Sequence, residues 1–268
     1  MNTADVGVVK PSERGRFAGK RVLVTGGAGG MGRSAALRFA EEGADVAIVD
    51  IAREAGERTL TELRSTGRQA FFFAADASSS PDIQAAIERA SGALGGIDVL
   101  FCHAGTIIVR PLHETSDEEY DRLMAINARS AFLSCRAVLP GMMQQRRGAI
   151  VITSSIGGER GFPLEGVYCM SKGAVLQLAR TIAAEYRTYG IRCNAVCPGF
   201  VQTAHGLREI KELDQLGQRW EDADLAATQQ RMCEPEEVAA AALFLASDDA
   251  SFINGAALYV DNGWHSKG

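Results

Sequence analysis

Tyr168-Cys-Met-Ser-Lys172 places a phenol and an ammonium four residues apart. On a helix that spacing puts both on one face, about 5–6 Å apart at Cβ. An ammonium beside a phenol favours the phenolate and lowers its pKa from about 10. The pair then becomes a proton acceptor near neutral pH. Ser154-Ser155 directly follows a β-branched run at 149–153, so it lies at the end of a strand. A serine hydroxyl there can donate to a carbonyl oxygen as negative charge develops. Taken singly, these features are ordinary: most such pairs decorate helix surfaces, and loop serines bond their own backbone. Their joint occurrence points to proton transfer at an oxygen-bearing carbon.

A second constellation supplies a place for a nucleotide. Thr25-Gly-Gly-Ala-Gly-Gly-Met-Gly32 joins a strand-like run at 21–25 to a helical pattern. Gly27, Gly29 and Gly32 spell G-x-G-x-x-G, and Thr25, Gly26, Gly30 and Gly32 spell T-G-x-x-x-G-x-G. Such a loop lets the backbone approach a pyrophosphate, and the helix behind it presents free N–H groups and a partial positive charge. Asp50 ends the next strand-like run. A carboxylate there accepts bonds from adenosine ribose hydroxyls and repels a 2′-phosphate, which favours NAD over NADP. Its bland alternative is a cap on the following helix. Asp76 ends the third run and either meets the adenine or serves as a turn residue before Ser78-Ser-Ser-Pro81. With NAD in place, bringing Tyr168 from about 10 to about 7 needs roughly 4 kcal/mol, which Lys172 and the cationic nicotinamide can share.

The elements that position these residues alternate regularly. Strand patterns occupy 21–25, 45–50, 69–75, 97–102, 149–153, 192–197 and 257–260. Helical patterns occupy 34–42, 52–65, 81–93, 168–189 and 235–246, with a long helical region at 115–145 interrupted near Pro140. Strands buried on both faces, each followed by a helix, predict an α/β fold: one doubly wound parallel sheet with helices on both faces. Ligands of such sheets bind beyond the carboxyl ends of the strands. Segment 204–233 breaks the rhythm. It is polar and weakly helical, with Leu207, Ile210, Leu213, Leu216 and Trp220 at helical spacing and charges, Glu209 and Glu221 among them, between them. The expectation is a lid over the active site. Phe162, Leu164, Phe200, His205 and Trp220 are candidate pocket residues.

Length and composition set the class. The 268 residues, 46% hydrophobic and 23% charged, suit one α/β domain at 17–268 preceded by a flexible extension at 1–16. A net charge of −5 argues against nucleic acid as a partner, and Arg146-Arg147 reads as a solvated helix end. No apolar run reaches the roughly 18 residues of a membrane span, and the N-terminus has no apolar signal core. The six cysteines form no C-x-x-C pair, which fits a reduced cytoplasmic setting. His103, His113, His205 and His265 lack metal-ligand spacing, so no metal is expected.

From Lys20 to Trp264 the chain resembles the short-chain dehydrogenase/reductase family, whose glycine pattern is matched by Thr25, Gly26, Gly30 and Gly32. The family's Tyr-x-x-x-Lys is matched by Tyr168 and Lys172, and its serine about thirteen residues earlier selects Ser155 over Ser154. Asn127 in Ile-Asn-Ala-Arg matches the helix asparagine, and Pro198, Gly199 and Thr203 match the cofactor-contacting Pro-Gly…Thr. One departure stands out: the usual Asn-Ala-Gly is here His103-Ala104-Gly105, with a structural role for His103 favoured over a titrating one. The resemblance implies a Rossmann-type fold and a homotetramer, and it implies that Met31, Ile51, Ala77, Ala104, Gly105 and Val201 also flank NAD. It further implies hydride transfer between NAD and a secondary alcohol or ketone. In that scheme Ser155 holds the substrate oxygen, Tyr168 moves the proton, and Lys172 tunes Tyr168 and binds the nicotinamide ribose. Asn127 anchors a water through its main-chain carbonyl. The enoyl-reductase branch spaces its tyrosine and lysine more widely. The alternative is a non-catalytic dinucleotide sensor on the same fold, which has no need of all four residues.

Overall fold

The computed structural model describes residues 15–220 and 222–267. Among them runs a seven-stranded parallel sheet: β1 (Arg21–Thr25), β2 (Asp45–Asp50), β3 (Ala70–Ala74), β4 (Val99–Cys102), β5 (Gly148–Thr153), β6 (Ile191–Pro198) and β7 (Ala257–Val260). Their spatial order is β3-β2-β1-β4-β5-β6-β7. The order reverses between β1 and β4, where Thr25 lies in register with Cys102. A crevice therefore opens at their carboxyl ends, the place where such sheets take ligands.

Alternation along the strands feeds two cores. Leu23 joins the layer under α3 (Ser80–Leu94), α5 (Ser130–Gln145) and α6 (Gly166–Tyr186). Val22 and Val24 join the opposite layer, under α1 (Gly30–Glu41), α2 (Arg53–Ser65) and α9 (Pro235–Ala246). Both faces are covered, so the architecture is the Rossmann-type doubly wound sheet. Arg21 and Asp98 pin the amino-terminal edge: Asp98 Oδ2 accepts from the Arg21 main-chain N–H at 3.0 Å and from Nε at 2.8 Å. Asp98 is buried, and although burial opposes it, the Arg21 bonds hold its carboxyl below the usual carboxylate range.

Several boundaries differ from the sequence reading for physical reasons. Helix α1 starts at Gly30, not 34, because glycines hide a helical first turn from propensity. Pro140 sits inside α5 without breaking it. The irregularity of that long region is instead a π-type turn at Ala125–Arg129, after α4 (Asp117–Met124). Ser130 Oγ donates back to the Ile126 carbonyl at 2.5 Å there, a local bond that competes with regular helix geometry. Arg16, placed with the flexible extension, pairs with Glu42 at 2.6 Å, and Phe17 is fully buried. Residues 1–14 of that extension lie outside the described residues.

Candidate active site

The glycine loop leaves β1 and turns into α1 against the loop after β4. Gly26 N–H donates to the Val49 carbonyl at 2.7 Å, and Thr25 Oγ1 accepts from the main-chain N–H groups of His103 and Ala104 at 3.1 and 3.2 Å. Thr25 is thus a buried clasp between two loops, with its hydroxyl committed. A Cβ on Gly32 would press into the Gly26 carbonyl oxygen and lie 2.8 Å from His103 Cδ2. Gly32 is required for packing and does not line the cleft. A Cβ on Gly29 would meet nothing within 4 Å. Gly29 is the N-cap of α1 and offers no side-chain cap, so the first N–H groups of that helix face the cleft unoccupied by protein.

The cleft holds about 350 Å³ and runs past Gly26, Gly30, Met31 and Asp50 to His103, Gly105, Pro198, Gly199, Val201 and Thr203. A side cavity of about 280 Å³ continues beside Asp50, Ile51, Asp76, Ala77 and Ala104. The residues present suit a dinucleotide: open glycine backbone at a helix start, a carboxylate at the second strand end, and a further recess beyond. Asp50 lines the cleft and does not cap α2 (Arg53–Ser65), whose N-cap is Ala52 with no side-chain cap bond. Its Oδ2 accepts from the Ala28 N–H at 3.0 Å and its Oδ1 from Ala52 N–H at 2.9 Å, which holds the carboxylate at the cleft wall. Asp76 accepts from the Ser78 N–H and hydroxyl at 2.8 and 2.7 Å, the turn role, while still bordering the recess. Thr203 Oγ1 caps α7 (Ala204–Gln215) by accepting from Gly206 N–H at 3.1 Å.

The proposed chemistry groups meet on the other side of the cleft. Ser155 hydrogen-bonds Tyr168 and accepts from Gly157 N–H at 3.1 Å. Ser154 turns away, its hydroxyl donating to the Lys172 carbonyl at 2.8 Å. Lys172 Nζ donates to the Thr153 carbonyl at 3.1 Å and lies 5.5 Å from the Tyr168 ring centre. Asn127 is buried in the π-type turn. Its amide donates to the Thr106 carbonyl at 2.8 Å and Ser171 Oγ at 2.9 Å, and its Oδ1 accepts from Thr106 N–H at 2.8 Å. It frames the site without lining the cleft. His103 lies parallel to the Phe101 ring, with Nδ1 3.0 Å from Thr153 Oγ1. Desolvation and Lys172 push its pKa down to about 3, so the ring is neutral, as a structural replacement for asparagine requires.

Electrostatics correct one expectation. Burial lowers Lys172 to about 8. Tyr168, expected below 10, stands well above it in the protein by itself: burial leads, Glu209 and Glu165 add to it, and the Ser155 bond opposes it. One ammonium does not outweigh desolvation and two neighbouring acids.

Those acids are what the sequence reading missed. Glu165 immediately precedes α6 and is buried. Glu209, counted as a charge opposing burial of 204–233, points inward from α7 with its side chain 13% exposed. Burial raises Glu165 to about 7 and raises Glu209 strongly, and the two carboxyls bond each other. An acidic residue inside Phe-Pro-Leu-Glu-Gly-Val was the one available signal. Segment 204–233 forms α7 and α8 (Asp222–Thr228). Leu213 is buried, whereas Leu207 and Leu216 are exposed, so the inward face is narrower than the apolar spacing predicts. Glu221 lies outside the described residues. Gln229 anchors the segment by a paired bond to Phe200, its Oε1 accepting from N–H at 3.1 Å and its Nε2 donating to the carbonyl at 2.8 Å. Of the candidate pocket residues, Phe162, Phe200 and Trp220 wall a cavity behind Tyr168. His205 lines the main cleft, and Leu164 packs alongside.

A parallel sheet with its glycine loop, crevice and Ser-Tyr-Lys cluster at one edge defines a dinucleotide-dependent oxidoreductase class. The family profile described as "Enoyl-(Acyl carrier protein) reductase" matches residues 26–265. The chain is 40% identical to 2-(R)-hydroxypropyl-CoM dehydrogenase of Xanthobacter autotrophicus, covering 90% of this chain and 97% of that protein. It is 37% identical to cyclopentanol dehydrogenase of a Comamonas species, covering 93% and 98%. A solved NAD+-bound xylitol dehydrogenase superimposes with a TM-score of 0.88 at 31% identity, over 92% of this chain and 99% of that one. The protein belongs to the short-chain dehydrogenase/reductase family and is an oxidoreductase. Among the described residues, no helix is long and apolar enough to cross a membrane.

Proposed function

We propose that the protein is an NAD-dependent dehydrogenase interconverting a secondary alcohol and its ketone through Asn127, Ser155, Tyr168 and Lys172. The observation that carries this reading is the convergence of Ser155, Tyr168 and Lys172 on one cleft with the α1 amino terminus and Asp50. When bound, NAD would supply the hydride acceptor and a positive charge that favours the Tyr168 phenolate. Ser155 donates to the substrate oxygen and holds the carbinol over the cleft. Tyr168, deprotonated, takes the hydroxyl proton as the carbinol C–H bond breaks with its electron pair and the C=O bond forms. Lys172 stabilises that phenolate and would hold the nicotinamide ribose. Asn127 keeps the π-type turn against Thr106 and Ser171 and, through its main-chain carbonyl, anchors a water for proton exchange. NAD rather than NADP follows from Asp50, whose fixed carboxylate opposes a 2′-phosphate.

Segment 204–233 acts as a lid on this reading. It borders the cleft at Ala204, His205 and Glu209, and exclusion of water would strengthen the site's electrostatics. The enzyme works in the cytoplasm as a homotetramer. Phe132 on α5 and Met170 on α6 are 46% and 52% exposed, apolar surface suited to two-fold helix pairing. A monomeric mass by light scattering at micromolar concentration would contradict the tetramer. The functional test is a panel of secondary alcohols assayed with NAD and NADP in parallel, read by absorbance of the reduced nicotinamide. Turnover with NAD is expected, and no turnover with any alcohol would refute the reading.

A further inference from the structure

Ser155 and Tyr168 face two spaces. One is the cofactor cleft, and the other is a smaller cavity of about 60 Å³ behind them. Four aromatic rings wall the smaller cavity and brace one another. Phe200 meets Trp220 edge-on at 4.9 Å between ring centres and Trp264 at 5.3 Å, while Phe162 lies 5.4 Å from Trp264. Rings locked in this way form a wall that exists before any substrate arrives. Glu165, Glu209 and Gln218 are the polar residues of that lining besides Ser155 and Tyr168.

Among the described residues, no charged group is in ion-pair contact with these two acids, and Lys172 and Arg208 attract Glu209 only from farther off. The basic groups around Glu209 are engaged elsewhere or uncharged. Lys172 donates to the Thr153 carbonyl. Arg208 turns to Glu212 at 3.6 Å and to Thr106 Oγ1 at 3.2 Å. His205 Nε2 stands 4.0 Å from Glu209 Oε2, and burial holds its pKa down near 4, so the ring is neutral. Among the described residues, no ion pair is made by Glu165. Two carboxyls in an apolar-walled cavity are costly unless a cation joins them. Aromatic faces also attract a cation. An anionic group is repelled, and a purely apolar one adds no partner beyond the bond the two carboxyls make with each other.

We propose that the substrate is a small amino alcohol or the matching amino ketone, its ammonium held between Glu165, Glu209 and the aromatic wall while its oxygen lies on Ser155 and Tyr168. This rests on the dehydrogenase reading above and names its substrate class. Burial raises Glu165 to about 7 and raises Glu209 strongly, which favours a proton on the pair near neutral pH in the free protein. The entering ammonium replaces that proton, so binding releases one.

The test uses three alcohols of the same shape: isopropanolamine, sec-butanol and propylene glycol, each with the full-length protein and NAD. Isopropanolamine is expected to exceed both neutral alcohols in kcat/KM by about tenfold or more. In Glu165→Gln and Glu209→Gln the ratio of isopropanolamine to sec-butanol should fall by about tenfold. Calorimetry of isopropanolamine binding to the protein with NAD, in two buffers of different ionisation enthalpy, should show proton release near pH 7. Equal or better kinetics with sec-butanol would overturn the amine assignment and leave the dehydrogenase reading intact. Better kinetics with propylene glycol would do the same and make the carboxyl pair a hydroxyl-binding site. If none of the three is oxidised, calorimetry still decides: binding with proton release supports the cation site, and its absence sinks it. If a variant does not fold, the wild-type ratio and the calorimetry decide the same question.

Discussion

Two single-methyl changes in the glycine loop separate packing from cofactor contact. At Gly32 the added Cβ would lie 2.8 Å from His103 Cδ2, and closer still to the Gly26 carbonyl oxygen. Ordinary carbon contacts lie at about 3.5–4.0 Å, so the overlap is at least about 0.7 Å. Neither neighbour can yield cheaply. Gly26 is tied to Val49, and a Cβ there would itself crowd Ala104; His103 is held by Thr153 and the Phe101 ring. Overpacking of this kind costs about 1–3 kcal/mol. For a domain of this size each kcal/mol lowers Tm by about 2–4 °C, so Gly32→Ala should melt about 2–12 °C lower. At Gly29 the methyl meets nothing within 4 Å and the backbone is extended (φ −157°), so stability should change by no more than about 0.5 kcal/mol. Yet that methyl projects at the start of α1 in the cleft, and NAD affinity should fall about tenfold for each 1.4 kcal/mol of displaced contact. Differential scanning fluorimetry without ligand and calorimetric NAD titration measure the two effects separately. Unchanged melting of Gly32→Ala would refute the packing role of Gly32, and full NAD affinity in Gly29→Ala would refute the placement of pyrophosphate on this loop.

Three further outcomes follow from other parts of the molecule. Asp50→Ser combined with Ile51→Arg removes a fixed carboxylate and adds a phosphate partner, so the kcat/KM preference should move toward NADP; tighter NADP than NAD binding by the unaltered protein would contradict the Asp50 assignment. Asp98→Asn should cost about 3 kcal/mol at neutral pH by leaving the Arg21 cation without its charge partner. Because the folded Asp98 carboxyl sits below its unfolded value near 4, its contribution is present above that value and lost as pH falls through the folded one. The gap between variant and parent in urea unfolding should therefore narrow in acid, and a pH-independent gap would count against it. Amide exchange over 204–220 should slow when NAD and substrate are both added, whereas equal, strong protection in both states would mean a permanently docked segment.

The sheet and the glycine loop were legible because their signals are local. A β-branched run ending in Thr-Gly-Gly reads as strand then turn, and burial on both faces makes the run continuous. The Tyr168–Lys172 spacing is helical and equally local. What stayed hidden depends on tertiary contact. Pro140 reads as a break, but the irregular turn comes three helical turns earlier, where the Asn127 side chain is drawn to Thr106. Glu165 and Glu209 are 44 positions apart and meet because α7 folds over the start of α6; from the sequence alone, Glu209 belongs to a solvated face. Ser154 and Ser155 cannot be told apart by composition. Their opposite directions come from strand alternation at the end of β5, one hydroxyl going to the Lys172 carbonyl and the other to Tyr168.

The central claim is that Tyr168 moves the proton, and Tyr168→Phe tests it most directly. The change removes one oxygen from a buried ring that belongs to one apolar cluster with Ile107, Val109 and Ile156, so the fold should persist. Steady-state oxidation of a secondary alcohol that the parent turns over is compared with NAD affinity measured by calorimetry on the same preparation. Turnover should fall by about 10²–10⁴ while NAD binds nearly as before. A folded Tyr168→Phe protein that oxidises the alcohol at close to the parent rate would contradict the account.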